Sequence, residues 1–207
     1  MSTTAPSPHM TPEEYLALER SAETKSEYLD GEVFAMAGVT RAHSLIAGDV
    51  HAALHGQLAA GPCEVHMADM RVKVSETGLY TYPDVVVACG KVGFEDEHTD
   101  TLLNPTVVIE VLSPSTEAYD RGLKFSHYRR LPSLQDYLLI AQDRVSVEHF
   151  ARREGQWLLT EQTDLNAVVD LAAIGCRLAL VAVYARVEHV SSELPTERPA
   201  ADDSGEA

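Results

Sequence analysis

Val107-Val108-Ile109-Glu110-Val111-Leu112-Ser113-Pro114 places one glutamate inside an otherwise apolar, β-branched run. A run this continuous predicts a strand over 106–112 that is covered on both faces. Side chains alternate along a strand, so Val108, Glu110 and Leu112 share one face and Val107, Ile109 and Val111 the other. An ionised carboxylate held among Val and Ile is costly unless a partner binds it. A second acidic residue stands at a similar break, where Tyr82-Pro83-Asp84 leads into Val85-Val86-Val87. If the strand starting at Asp84 runs antiparallel to the one ending at Leu112, the two carboxylates meet at one edge of the sheet.

Working outward, Thr11-Pro12-Glu13-Glu14 has the marks of a helix start: a capping hydroxyl, proline in the first turn and acidic residues at the positive end of the dipole. A short helix to about residue 20 follows. Asp30-Gly31 between two apolar runs signals a hairpin over 27–37. Leu45, Ile46, Val50, Ala53, Leu54 and Leu58 recur at three- and four-residue spacing, which predicts an amphipathic helix over 41–60 ending near Gly61-Pro62. Strands are expected over 63–74 and 79–88, with a turn at Ser75-Glu76-Thr77-Gly78 between them, and a polar, charged loop or small excursion over 89–104. Beyond Pro114, residues 119–131 read as a helix stopped by Pro132, and 137–141, 145–151 and 157–162 as further strands. The closing apolar stretch over 168–187 suits short strands and a final helix equally. The sum is an α/β (α+β) domain, a mixed β-sheet flanked by helices. Residues 11–187 are expected to form one domain, between a disordered N-terminus at 1–10 and an acidic disordered tail at 188–207.

The chain carries 16 basic against 32 acidic residues among 207, a formal net charge of −16. The tail concentrates part of this, with Glu188, Glu193, Glu197, Asp202, Asp203 and Glu206 against Arg198 alone. Even without it the field argues against tight, non-specific binding to duplex nucleic acid. No stretch approaches the ~20 uninterrupted apolar residues of a membrane span, and Met1-Ser2-Thr3-Thr4 begins no basic-then-apolar leader, so a cytoplasmic protein is expected. Cys63, Cys89 and Cys176 lack metal-ligand spacing and are expected as reduced thiols packed in the interior.

Asp84 and Glu110 outline a metal-dependent phosphodiester-cleaving site. Magnesium takes only one or two protein carboxylates and keeps positions for phosphate oxygens and an attacking water, which it acidifies. A nearby lysine can orient that water or stabilise developing negative charge. Lys124 is one of only four lysines, and its stem is long enough to return from the following helix to the sheet edge. Each of these residues also has an ordinary reading: Asp84 as a turn residue at a strand start, Lys124 as a solvated partner of Asp120. Glu110 has the weakest alternative, since a mid-strand glutamate among branched apolar residues is seldom buried without purpose.

The ordered set Glu27-Tyr28-Leu29-Asp30-Gly31-Glu32, His43, Asp69-Met70-Arg71-Val72, Tyr82-Pro83-Asp84-Val85-Val86-Val87 and Glu110-Val111-Leu112-Ser113-Pro114-Ser115-Thr116, then Asp120, Lys124 and Tyr128, resembles the Uma-two family. These are restriction endonuclease-like proteins of the PD-(D/E)XK nuclease superfamily, and the similarity runs over about residues 10–187. The resemblance implies a restriction endonuclease-like core, Asp84 and Glu110 as metal ligands for Mg2+ or Mn2+, and a lysine as the third catalytic group. Leu112 stands where the superfamily motif has that lysine, and Lys124 becomes its substitute. Glu27 matches an acidic position near the metal in many such nucleases, and His43 a family histidine at the start of the long helix.

The leading expectation is therefore a metal-dependent endonuclease acting on nucleic acid, DNA foremost, as a homodimer whose paired sites cut both strands. Arg121 and Arg129, in the densest basic stretch of an acidic chain, are candidate substrate contacts. Asp69 and Arg71 suit either an ion pair on the sheet or support of the site. Two other functions compete. One is a catalytically inactive, nuclease-like binding or regulatory module, which the acidic charge and the displaced lysine favour. The other is a hydrolase of a small phosphate ester, for which an acidic surface is less of a handicap.

Overall fold

A computed structural model gives the structure of the protein, describing residues 9–36 and 38–188. Its centre is a six-stranded sheet in the order β11-β10-β9-β8-β6-β3, with β3 Cys63–Met67, β6 Val85–Cys89, β8 Val107–Leu112, β9 Asp136–Ala141, β10 Val147–Arg153 and β11 Gln156–Gln162. Only β8 and β9 are parallel neighbours; the other pairs are antiparallel. That parallel step needs a crossover, supplied by α3 (Glu117–Tyr119), a π-helical turn (Asp120–Lys124) and α4 (Phe125–Tyr128). A second, five-stranded sheet has the order β2-β1-β5-β4-β7, with β1 Ser26–Leu29, β2 Glu32–Ala35, β4 Arg71–Val74, β5 Leu79–Thr81 and β7 Thr101–Leu102.

All six residues of β8 are buried, because layers cover both of its faces. Val107, Ile109 and Val111 pack with Ile46, Val50 and Leu54 of the long helix α2 (Arg41–Leu58), and with the hairpin β12 (Val168–Leu171) and β13 (Cys176–Ala179) and the short α5 (Leu180–Val183). Val108 and Leu112 instead meet Phe125 and Tyr128 of α4 and Val72, Val74 and Leu79 of the second sheet. The alternation expected along this strand thus sends Glu110 toward the α4 side. The final stretch, open between strands and helix, supplies both.

Other boundaries follow local chemistry. Thr11 and Glu14 form a reciprocal capping box at α1 (Pro12–Glu19), and the Thr40 hydroxyl accepts from the His43 N–H at the start of α2. Asp30 and Gly31 close the β1–β2 hairpin with φ of 48° and 85°, the left-handed pair that a two-residue turn demands.

Two expectations are corrected and one open reading is decided. The runs 63–74 and 79–88 are not single strands: each is cut in the middle and gives one half to each sheet. In the second run the cut falls at Tyr82-Pro83-Asp84, where proline has no N–H for a ladder; in the first, a turn closes from the Met70 N–H to the Met67 carbonyl. Of the two readings left open for 89–104, the small excursion is the one found. It contributes β7, and its Asp96 and Asp100 clasp Arg20 at the end of α1. Cys63 and Cys89, directly opposite each other in the β3–β6 pairing, are joined as a disulfide, so a reduced, buried thiol is found at Cys176 alone. Their 26-residue separation hides that adjacency in the sequence.

The disordered ends expected at 1–10 and 188–207 lie almost wholly outside the described residues. Of the first, Met10 is described, its N–H donating to the Gly31 carbonyl. Among the described residues no helix is long and apolar enough to cross a membrane.

Candidate active site

Asp84 occupies the point where the chain passes from the second sheet to the central one. The antiparallel register of β6 with β8, Val85 opposite Ile109, brings it beside Glu110. The Asp84 N–H donates to Glu110 Oε2 at 3.3 Å, and the Val111 N–H donates to Asp84 Oδ2 at 2.7 Å. The other carboxylate oxygen, Oδ1, lies 2.8 Å from Nε2 of His43, in the first turn of α2. Asp84 is thereby fixed by a strand on one side and a helix on the other.

Lys124 enters from the crossover. It ends the π turn, in which a helical turn carries one more residue than usual, a distortion frequent at functional sites. Its ammonium lies 3.0 Å from Glu110 Oε1, 3.1 Å from Glu27 Oε1 and 3.6 Å from Asp120 Oδ1. Tyr128, one turn further on, donates its hydroxyl to Glu110 Oε1 at 3.0 Å. Glu27, from β1, also accepts from the Thr81 hydroxyl and, at 3.3 Å, from that of Tyr119.

The charges here are strongly perturbed. Burial, helped by Asp120 and Asp84 and opposed by Lys124, pushes the Glu110 carboxyl up to about 8. Burial likewise raises Asp120. Burial works against the Lys124 ammonium, yet Glu110, Glu27 and Asp120 together hold its pKa well above the usual lysine value. Four carboxyl groups therefore surround one ammonium and one imidazole; the set is short of positive charge, and Glu110 answers the shortage by holding a proton at neutral pH.

That deficit bears on a metal. The donors facing the cavity are hard carboxylate oxygens, each with lone pairs beyond those already engaged, which is the chemistry magnesium or manganese takes. Among the described residues no group of three or more His, Cys, Asp or Glu is arranged to hold an ion by itself. Two carboxylates with waters suffice for magnesium, and Asp84 and Glu110 supply that pair, so the residues present fit the group.

The cavity above the cluster measures about 470 Å³. It is lined by Glu27, His43, Asp84, Glu110, Asp120 and Lys124, by the apolar Phe34, Met36 and Val39 of the β2 arm, and by Ser113, Pro114 and Tyr119. Of the candidate residues, the structure brings together Asp84, Glu110, Lys124, Glu27 and His43. Arg121 and Arg129 are not among them: the Arg121 guanidinium is taken by Glu148 and Glu117, and neither arginine lines the cavity. Asp69 pairs with Lys25, and the buried Arg71 bonds Thr101 and Tyr82. Asp120 and Tyr128, which stand in the family-like set without an assigned role, join the site, and Tyr119 and Thr81 are additions to it. Asp120, Lys124 and Tyr128 recur every four residues, a spacing that marks one side of a helical segment.

The comparisons agree with this architecture. The family model described as "Uma2: Putative restriction endonuclease" matches residues 12–181. Two uncharacterized proteins of Synechocystis sp. are similar: slr1290, 38% identical over 184 residues, 88% of this chain and 95% of the relative, and sll1609, 36% identical over 164 residues, 79% and 93%. The crystal structure of "a putative nuclease belonging to DUF820" from Anabaena variabilis ATCC 29413 superposes with a TM-score of 0.70 at 19% identity, covering 84% of this chain and 96% of that one. The fold is thus the restriction endonuclease-like one.

Proposed function

The chain belongs to the Uma2 family of putative restriction endonucleases, and from that premise we propose that it is a magnesium-dependent nuclease that hydrolyses phosphodiester bonds, in DNA foremost. The observation that carries the reading is the convergence of Asp84, Glu110 and Lys124 in one cavity, from three elements distant in sequence.

Asp84 and Glu110 would hold the ion, which when bound acidifies a water and offsets charge on the phosphate. The Val111 N–H and His43 keep Asp84 in one orientation, so the ion's position would be set before substrate arrives. Lys124 keeps its proton and offers its N–H groups to the attacking water or a non-bridging phosphate oxygen, stabilising negative charge as it develops. Glu27 and Glu110 aim that ammonium, and Tyr128 holds Glu110. In the hydrolysis, the oxygen of water bonds to phosphorus while one ester P–O bond breaks. The water's proton passes to solvent, and the departing alkoxide is protonated in turn.

The test is cleavage of labelled DNA by purified protein with magnesium or manganese. Activity should vanish on chelation, and Glu110→Gln should lower it by roughly a hundredfold or more, as losing a main electrostatic contributor does. A protein that binds no divalent ion and cuts no nucleic acid or phosphate ester would sink the proposal.

A further inference from the structure

A nuclease that tracks duplex backbone needs several cations along its groove, because phosphate neutralisation supplies most of that affinity. This site offers little of the kind. Among the described residues Lys124 is the one lysine or arginine lining the cavity, and Glu27 and Glu110 already hold it. Other arginines add little: Arg121 is taken by Glu117 and Glu148 and Arg144 by Asp143 and Glu117, while Arg129 and Arg130 do not line the cavity. The whole chain carries −16.

What the mouth offers instead is apolar surface. Phe34 is 48% exposed, Met36 37% and Val39 62%, and all three line the same cavity as the carboxylates. Phe34 stands directly opposite Glu27 in the β1–β2 pairing. Cross-strand partners project from the same sheet face with Cβ atoms about 5 Å apart, so the ring lies beside the carboxylate that touches Lys124. β2 is an edge strand with all four residues exposed, so this face is open to a ligand. Pro114 and Tyr119 bound the cavity as well.

We infer that the cavity takes an unpaired nucleotide, whose base stacks on Phe34 and packs on Met36 and Val39 while its phosphate faces Lys124, so that the substrate is single-stranded or locally opened nucleic acid and not intact duplex. Every base has a π-face, and stacking on an aromatic ring needs no cation, which lets an acidic protein hold a polyanion by one phosphate and one base. The inference rests on the proposed nuclease reading in taking nucleic acid as the ligand of this site.

The experiment separates binding from cleavage. Binding is read on the Glu110→Gln protein with magnesium, using a short oligonucleotide carrying 2-aminopurine, single-stranded or annealed to its complement. The single strand should show quenched fluorescence and bind at least tenfold more tightly than the duplex. Phe34→Ser should weaken that binding by about tenfold while Phe34→Tyr restores it, the scale of one lost stacking contact. The salt slope should correspond to about one or two phosphates. Equal binding to duplex, or no effect of Phe34→Ser, overturns the base subsite. A dimer that Phe34→Ser dissolves without weakening oligonucleotide binding overturns it too, assigning the face to a second copy. Cleavage by the unsubstituted protein is scored separately. Magnesium-dependent cutting of duplex that Phe34→Ser leaves untouched removes the subsite and keeps the nuclease; Phe34-dependent binding with no cutting of any nucleic acid removes the nuclease and keeps the subsite.

Discussion

Lys124 reaches within 3.0 Å of Glu110 although one ends a π turn and the other sits in the middle of a buried strand. The position two residues beyond Glu110 belongs to Leu112, which packs into the apolar core. A lysine arriving from the crossover is thus in reach of the strand carboxylate, and it carries energetic weight. Replacing Lys124 by Met leaves Glu110, Glu27 and Asp120 facing one another without their cation. Removing one partner of a buried ion set costs about 3–5 kcal/mol. Urea unfolding at pH 8 should show a loss of that size and a smaller one near pH 5, where the carboxylates can take up protons.

Glu110 makes the opposite prediction about charge. Its folded pKa, about 8, lies above the ordinary 4.5. A raised carboxyl contributes stability that is present below its unfolded pKa and is lost as pH rises through the folded one. Glu110→Gln has no such proton to lose. In chelator, the stability of the variant relative to the unsubstituted protein should climb between about pH 4.5 and 8 by on the order of a few kcal/mol and then level off. A difference that stays flat across that window would show that Glu110 is not held protonated by its surroundings.

His43 touches Asp84, and any effect it has on the ion passes through that contact. His43→Ala should weaken metal binding and cleavage by roughly 10–100-fold, as loss of an outer partner of a ligand does. Isothermal titration with manganese gives the affinity directly, and circular dichroism should show an unchanged fold. An unaltered metal affinity would confine His43 to capping and packing.

The Arg20 clasp is a structural test away from the site. Arg20, and the buried Arg71 behind it, hold the Asp100 carboxyl well below the usual range. A depressed carboxyl contributes stability that is present above its unfolded pKa and fades as pH falls through the folded one. Asp100→Asn should therefore cost about 1 kcal/mol at pH 7, limited by the solvent exposure of the pair, and the difference should shrink under strong acid and in high salt. Thermal melts at several pH values decide it.

Much of this was legible in the sequence. Glu110 and Asp84 announce themselves because charge interrupts apolar runs, and alternation fixes the face to which Glu110 points. The reach of a lysine stem made Lys124 a candidate before any geometry. What stayed hidden is tertiary. Nothing local says that 63–74 and 79–88 divide between two sheets, since either half of each run would suit either sheet. The Cys63–Cys89 pairing depends on which strands become neighbours. Tyr119 and Thr81 look like ordinary helix and strand residues until their hydroxyls find Glu27. Arg121 looked free because its acidic partner Glu148 lies on β10, far along the chain.

The π turn has a consequence in counting. Each residue advances a helix by about 100°. Deleting Arg121, Gly122 or Leu123 would shorten the spacing from Asp120 to Lys124 from four residues to three and shift those two side chains against each other, while the spacing from Lys124 to Tyr128 stays at four. The identity of the residue matters far less: a methyl group added at Gly122 would meet nothing within 4 Å. The length of the turn thus sets how Asp120 meets Lys124, something a one-codon deletion would disturb and a substitution at Gly122 would not.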